Sequence, residues 1–134
     1  MYNASFYPTP PEVAEKMLAK VGKLYERSIL EPSAGKGDLA DAAVGKLDRY
    51  YNRCREVVHC IEIEPELQAA IRGKGYPLVG TDFLTFWPDE KYDLIIMNPP
   101  FANGEAHLLH AWEILDHGDI VCLLNEQTLL IFDE

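Results

Sequence analysis

The sequence predicts an α/β fold in which helices cover both faces of a doubly wound, mostly parallel sheet. Strand-like and helical segments alternate along the chain, and the strand-like segments are nearly continuous apolar runs, as in buried parallel sheets. Short segments rich in glycine, proline and acidic residues follow the strands. Ligands bind beyond the carboxyl ends of the strands in such sheets, so these segments hold the candidate site residues.

The composition predicts a single globular domain spanning residues 1–134. Apolar residues make up 48% of the chain and charged residues 25%, which is a globular balance. The three cysteines form no Cys-x-x-Cys pair, which is typical of reduced thiols in a cytoplasmic protein. No secretory signal and no membrane-spanning run is predicted.

The net charge of −10 limits how the chain could act on nucleic acid. A chain this acidic repels a phosphate backbone over most of its surface. A local patch, another domain or a partner would have to supply most of the affinity for nucleic acid.

The first helix is predicted to begin at a Thr-Pro-Pro-Glu segment. Thr9 would be its N-cap, Pro10 its first residue and Glu12 the capping-box partner. The later elements are predicted as a strand at 28–31, a helix from 38, strands at 57–63, 77–79, 92–97 and 120–124, and helices from 65 and at 105–115.

A turn rich in small residues follows the first strand. Its Gly35-x-Gly37-x-x-Ala40 pattern meets the glycine-rich nucleotide fingerprint. Glycines allow a tight turn and let a ligand approach the backbone closely. A plain strand-to-helix turn would explain the same residues.

Carboxylates follow the second and third strands. Glu62 could accept two hydrogen bonds from a ribose diol, whereas Glu64 fits better as a carboxylate favoured by the dipole of the following helix. Asp82 and Phe83 could bind an adenine amine and cover its ring. A turn aspartate and a core phenylalanine are the simpler explanation of that pair.

The segment Asn98-Pro99-Pro100-Phe101, after the fourth strand, is the most specific signal. Proline fixes its own φ and keeps the preceding residue extended, so the segment is predicted to be a stiff bracket. The Asn98 side-chain oxygen and the Pro99 carbonyl would accept both hydrogens of an exocyclic amine. That contact would favour the nitrogen lone pair that attacks a methyl group, and Phe101 could stack on a base taken out of its helix.

With these segments in order, the sequence resembles S-adenosylmethionine-dependent DNA adenine methyltransferases of the Asn-Pro-Pro-aromatic type, most closely those of phages and prophages. The resemblance runs from about residue 6 to about residue 128, and Phe6-Tyr7-Pro8-Thr9-Pro10 matches the N-terminal cofactor motif. It implies a Rossmann-like class I methyltransferase sheet of strand order 3-2-1-4-5, with S-adenosylmethionine as cofactor. The activity implied is site-specific DNA methylation, as in restriction–modification.

The family fold continues beyond the fifth strand with more strands and a target-recognition region. The resemblance therefore implies that the last strands are missing here. DNA, as the implied substrate, would be gripped through a C-terminal domain or a partner chain.

The resemblance also implies a role for each matching residue. The catalytic residues are Asn98, Pro99, Pro100 and Phe101. The cofactor-binding residues are Tyr7, Thr9, Glu31, Pro32, Ser33, Ala34, Gly35, Gly37, Glu62, Ile63, Asp82, Phe83 and Asn98. Thr9 would touch the methionine carboxylate, which competes with its capping role.

Other functions are compatible with the same residues. The bracket could serve an RNA base or a glutamine amide in a protein, and an acidic surface suits a protein acceptor. An inert prophage remnant that acts as a binding module is a further alternative. A nicotinamide-binding Rossmann domain would leave residues 98–101 unexplained. No metal is predicted, because no carboxylate or cysteine completes a ligand set around the four histidines.

Overall fold

One mixed sheet organises the chain in the computed structural model, which describes residues 8–47, 54–125 and 128–133. Its strands are β1 (Ile29–Glu31), β2 (Val58–Ile61), β3 (Leu78–Gly80), β4 (Tyr92–Met97), β5 (Leu115–Asn125) and β6 (Thr128–Asp133). They lie in the order β3-β2-β1-β4-β5-β6. β1 to β5 run parallel, and β6 pairs antiparallel with β5.

Helices connect the parallel strands. The α-helices are α1 (Pro11–Ala19), α2 (Asp38–Leu47), α3 (Pro65–Gly73) and α4 (Gly104–Glu113). Short 3₁₀ helices lie at Cys54–Val57, Phe83–Thr85 and Phe101–Asn103. No helix in these described ranges is long and apolar enough to cross a membrane.

The α/β class and the strand order 3-2-1-4-5 are confirmed, but the sheet is one strand larger than predicted. β6 pairs with β5 from Asp119 opposite Asp133 to Asn125 opposite Thr128. The expectation that the last strands are missing is therefore corrected by this extra strand. Its run of apolar residues between Thr128 and Asp133 suits pairing along the edge that β5 would otherwise expose.

β5 also begins earlier than predicted, at Leu115, where the sequence predicts the end of a helix. The early start reflects a shift in the register between β5 and β4. Leu115 pairs with Tyr92, whereas Asp119 pairs with Leu94. Within the shift, Gly118 lies so close to the Asp93 carbonyl that a Cβ atom there would overlap it. The close approach that starts β5 thus requires a glycine.

Two cores cover the two faces of the sheet, and the central strands contribute to both. Leu94 and Ile96 of β4 face the core under α1, α2 and α3. Ile95 and Met97 face the core under α4 and the Phe83–Thr85 helix. This alternation along β4 is why the strand reads as continuously apolar.

The start of α1 differs from its prediction. Pro10 is the N-cap, with φ −60° and ψ 148°, and no side chain caps the helix. Thr9 lies one residue outside, and its hydroxyl contacts Asn98 instead. The predicted capping box is therefore wrong, whereas the predicted start of α3 at Pro65 is confirmed.

Candidate active site

A cavity opens beyond the carboxyl ends of β1, β2 and β4. Parallel strands converge there, as expected for a doubly wound sheet. Ten of the predicted site residues line it: Thr9, Glu31, Pro32, Ser33, Ala34, Gly35, Glu62, Ile63, Asn98 and Pro100. The structure thus brings together the segments after three different strands and the segment before α1.

Other predicted residues do not line this cavity. Gly37, Asp82, Phe83, Pro99 and Phe101 lie outside its lining. Tyr7 lies outside the residues that the structure describes.

The turn after β1 is held by backbone contacts and by left-handed glycines. Gly35 has φ 59° and Gly37 has φ 99°. The Ala34 N–H donates to the Ile61 carbonyl at 2.9 Å, which fastens the turn to β2. A left-handed φ is costly for residues with a Cβ atom, so the turn requires glycine at both positions.

The neighbours of Gly37 favour a glycine at this position in addition to its dihedral angle. A Cβ atom on it would lie 3.3 Å from Ile71 and 3.4 Å from the Lys74 ammonium. That ammonium donates to the Lys36 carbonyl and to the Asp41 carboxylate, both at 2.7 Å. Gly37 therefore makes room for a lysine that fastens the turn, and the Lys36 residue itself is exposed.

Glu62 ties the end of β2 to the glycine-rich turn. One of its carboxylate oxygens accepts from the Gly35 N–H at 2.7 Å and the other from the Glu64 N–H at 2.8 Å. Burial raises the pKa of Glu62, and the backbone hydrogen bonds oppose that shift. Because a carboxylate has about four acceptor positions, these two bonds leave room for hydroxyl donors of a ligand.

Glu31, the last residue of β1, is almost completely buried at 1% exposure. Its carboxylate accepts from the Ser33 N–H at 2.9 Å. The pKa of Glu31 is raised to about 8, mainly by burial and also by the neighbouring Glu62 and Asp38 carboxylates, while the Ser33 hydrogen bond opposes the shift. A cationic group of a ligand would favour the ionised form of this side chain.

Four acidic residues line the cavity, and one of them, Glu31, with its pKa raised to about 8, keeps its proton at neutral pH unless a cation binds beside it. The four residues are Glu31, Asp38, Glu62 and Glu64, and the described lining includes no lysine or arginine. Clefts lined by charges of one sign concentrate ligands of the opposite sign. The cavity therefore suits a cationic ligand and disfavours one that carries a diphosphate.

The Asn98 carboxamide stands at the cavity wall directly after β4. Its amide nitrogen donates to the Thr9 hydroxyl at 3.0 Å. Pro99 is buried behind it, and Pro100 is extended with φ −55° and ψ 135°. Phe101 follows on the surface with 41% exposure. The stiff bracket is therefore present, with an exposed aromatic ring just beyond the cavity lining.

Asp82 and Phe83 fit the simpler of their two explanations. The Asp82 carboxylate accepts from the Leu84 N–H at 3.1 Å and caps the short helix that follows. Phe83 is 2% exposed and belongs to the core. At the end of β3, Thr81 lines the cavity instead.

Five lining residues were not predicted as site residues: Asp38, Glu64, Leu67, Thr81 and His107. Pro8 also lines the cavity and belongs to the predicted N-terminal cofactor motif. His107 lies in the first turns of α4, and its ring centroid is 5.6 Å from that of Phe83, on the β3 side of the site. Burial lowers the pKa of His107, so the imidazole is neutral at pH 7. Its position in the helix that follows the proline bracket was the signal that could have identified it.

Metal binding has no support in the described ranges. Within them, no group of three or more histidine, cysteine, aspartate or glutamate side chains is placed to hold a metal ion. Cys60 and Cys122 are free thiols buried in the core.

One curated protein was found to be similar to the chain, whereas no family model matches it. The similar protein is the type II methyltransferase M.CvrRI of Paramecium bursaria Chlorella virus XZ-6E, 27% identical over 116 residues that cover 86% of this chain. These residues correspond to 29% of the viral protein, so the chain spans less than a third of its length.

Solved structures are similar in fold. A protein of Pyrococcus horikoshii assigned as an RNA methyltransferase is 25% identical, with a TM-score of 0.67 over 90% of this chain and 62% of that one. The glycopeptide N-methyltransferase MtfA, crystallised with S-adenosylmethionine, is 19% identical, with a TM-score of 0.61 over 90% of this chain and 51% of that one. The chain has the α/β Rossmann-like fold of class I methyltransferases.

Proposed function

We propose that the chain is the catalytic part of an S-adenosylmethionine-dependent methyltransferase that modifies the exocyclic amine of adenine in DNA. One observation carries the proposal. The Asn98 carboxamide, at the head of an Asn-Pro-Pro-Phe bracket, lines the same acidic cavity as Glu31 and Glu62. The name of the viral relative, a type II methyltransferase, agrees with the DNA methyltransferase resemblance of the sequence.

The residues that line the cavity fit this cofactor. S-Adenosylmethionine carries a sulfonium and an ammonium cation, and the described lining supplies four carboxyl groups and no lysine or arginine. Glu62 would accept from the ribose hydroxyls, while Ile63, at 58% exposure, would pack on the adenine. The diphosphate of a nicotinamide dinucleotide would be repelled by the same carboxylates.

The residues of the chain then have to hold and orient an amine. When bound, the cofactor supplies an electrophilic methyl group on sulfur. The bracket predicted from the sequence would orient the amine through the Asn98 oxygen and the Pro99 carbonyl, which would accept the two hydrogens of the target amine and direct its lone pair toward the cofactor. Pro99 itself lies behind the cavity lining, so its carbonyl would meet the amine only where the ligand reaches past Asn98. No strong base is required before attack, because the amine becomes acidic only as it gains the methyl group.

The target base would have to leave its helix to reach the cavity, and we assign Phe101 the role of receiving it. Its ring is 41% exposed beside the bracket, where it could stack on an extruded base. The grip on the DNA backbone comes from another part of the protein or a partner, because this chain carries a net charge of −10.

The acceptor is tested by radiolabelled methyl transfer to DNA, RNA and protein extracts. We expect label in DNA, at the N6 position of adenine. Label in RNA or in glutamine side chains would instead support one of the alternative acceptors. Of these two, the acidic charge of the chain favours the protein acceptor. Titration calorimetry with S-adenosylmethionine tests the cavity separately, since an absence of heat at millimolar ligand would indicate an inert binding module.

The variant Asn98→Ala tests the bracket. We expect methyl transfer to fall at least about a hundredfold, because one of two fixed acceptors is lost. The affinity for S-adenosylmethionine should stay within about threefold of wild type, since the carboxylates that hold the cofactor are unchanged. Full activity in this variant would contradict the mechanism.

A further inference from the structure

Thr9 and Asn98 form a contact that the sequence did not predict. They are 89 positions apart, and the Asn98 amide nitrogen donates to the Thr9 hydroxyl at 3.0 Å. Both residues line the cavity. Thr9 is 8% exposed, so the hydrogen bond lies in a setting where solvent screens it little.

The backbone around Thr9 holds its hydroxyl in place. Pro8 and Pro10 flank the residue and restrict their own φ angles, and Pro10 is the N-cap from which α1 begins. α1 is in turn anchored through Met17 and Leu18, which are 0% and 2% exposed in the core. The hydroxyl is therefore fixed relative to the end of β4.

The contact bears on chemistry because a carboxamide can face either way. Its oxygen and nitrogen ends have nearly the same shape and differ only in hydrogen bonding. With the Asn98 nitrogen turned toward Thr9, the oxygen, which is buried at the cavity wall in this structure, is the end that would accept from a target amine brought against it. In the opposite orientation, the NH2 group would face another NH2 group, and neither could accept.

We infer that Thr9 is a positioning residue that keeps the Asn98 carboxamide in the orientation that accepts the target amine. The inference rests on the proposed function and deepens it, because it assigns Thr9 a role in transfer as well as in the cavity wall. Because the hydroxyl accepts from Asn98, its own proton is available for an acceptor on the ligand, such as a carboxylate. A Thr9 hydroxyl that donates its proton to the ligand can only accept a hydrogen bond from Asn98. Ligand binding therefore stabilises the orientation in which the Asn98 nitrogen faces Thr9.

The first test compares Thr9→Val with Thr9→Ser. Valine keeps the shape and removes the hydroxyl, whereas serine keeps the hydroxyl. At saturating S-adenosylmethionine and acceptor, we expect kcat to fall at least about tenfold in Thr9→Val, roughly the loss of one net hydrogen bond, and Thr9→Ser to stay within about threefold of wild type. A kcat for Thr9→Val within threefold of wild type, or a serine variant as slow as the valine variant, would overturn the inference.

A matched control removes another hydroxyl from the same cavity. Ser33 lines the cavity on the turn after β1, so Ser33→Ala should affect the affinity for S-adenosylmethionine more than kcat at saturation. An equal loss of kcat in Ser33→Ala and Thr9→Val would show a general effect of the cavity wall and would also overturn the inference.

A second measurement does not depend on activity. In protein labelled with ¹⁵N-asparagine, the Asn98 side-chain amide signals are those that disappear in Asn98→Ala. We expect Thr9→Val to speed the hydrogen exchange of one Asn98 amide proton at least about tenfold, because its acceptor is gone. Unchanged exchange would remove the structural basis of the inference.

The two measurements separate the possible failures. If the wild-type chain modifies RNA or protein, the DNA part of the proposed function fails, and the Thr9 comparison is made on that acceptor. If wild type is active and Thr9→Val is equally active, the positioning role fails alone. If wild type modifies no acceptor, the proposed function and the catalytic role of Thr9 fail together.

Discussion

At the scale of single residues, Glu31 shows how a binding site can oppose stability. Its side chain is 1% exposed and lies near two other carboxylates, and its pKa is raised to about 8. The folded chain therefore keeps a proton on Glu31 at pH values where the unfolded chain, with a pKa near 4.5, has released it. The contribution of Glu31 to folding is therefore least favourable above about pH 8, where this side chain is ionised in both the folded and the unfolded chain.

The variant Glu31→Gln tests this linkage. Between pH 5 and pH 8, the wild-type free energy of unfolding should fall relative to that of the variant, by at most about 1.4 kcal/mol per pH unit, and the difference should level off above pH 8. Chemical denaturation at each pH measures it. Glu12→Gln, at an exposed position, is the control and should follow the wild-type profile. A Glu31→Gln profile parallel to that of wild type would show that Glu31 does not carry the effect.

The sequence predicted the candidate site residues whose position follows directly from the order of the strands along the chain. Glu31, Glu62 and Asn98 each follow a strand directly, and parallel strands bring their carboxyl ends to one edge. The space that Gly37 leaves for Lys74 and the contact of His107 with Phe83 could not be predicted, because Lys74 and Phe83 lie on other elements. The cofactor roles assigned to the predicted residues remain predictions.

At the scale of elements, the start of β5 depends on the absence of one side chain. A Cβ atom on Gly118 would overlap the Asp93 carbonyl and its neighbouring backbone atoms. Backbone cannot move aside as a flexible side chain can. The register shift between β4 and β5 therefore has to change if Gly118 is replaced.

We expect Gly118→Ala to lower the free energy of unfolding by at least about 2 kcal/mol. Gly45→Ala is the matched control, since Gly45 lies within α2 and a Cβ atom there meets nothing within 4 Å. That control should raise stability by roughly 0.5–1 kcal/mol, because alanine is the better helix former. Thermal or denaturant unfolding of both variants decides the matter, and a Gly118→Ala protein as stable as wild type would contradict the proposed strain.

Element boundaries were harder to predict than element types. The apolar runs of β1 to β4 have the two-sided pattern of buried strands, and Pro65 indicates the start of α3. Leu115 is predicted as the end of a helix and residues 116–119 as a connection, because only the pairing with β4 makes this segment part of a strand. β6 was missed for the same reason, since its partner β5 determines it.

At the scale of the whole molecule, the net charge of −10 predicts how the chain behaves with DNA on its own. Nonspecific affinity comes from cations that neutralise phosphates and release counterions. We expect this chain alone to bind a short duplex more weakly than about 10⁻⁴ M at physiological salt, with almost no dependence on salt concentration. Fluorescence anisotropy of a labelled duplex measures both quantities. Micromolar binding with a steep salt dependence would show that the chain carries its own DNA-binding patch.

The carboxylates that line the cavity also bear on how a catalytic cycle would end. Once its methyl has been given away, the sulfur of the cofactor is a neutral thioether. The spent molecule then has one positive charge fewer to offer Glu31, Asp38, Glu62 and Glu64. If the chain has the proposed activity, the electrostatic attraction for the cofactor would weaken after each turnover, which would favour exchange of the used molecule for a new one.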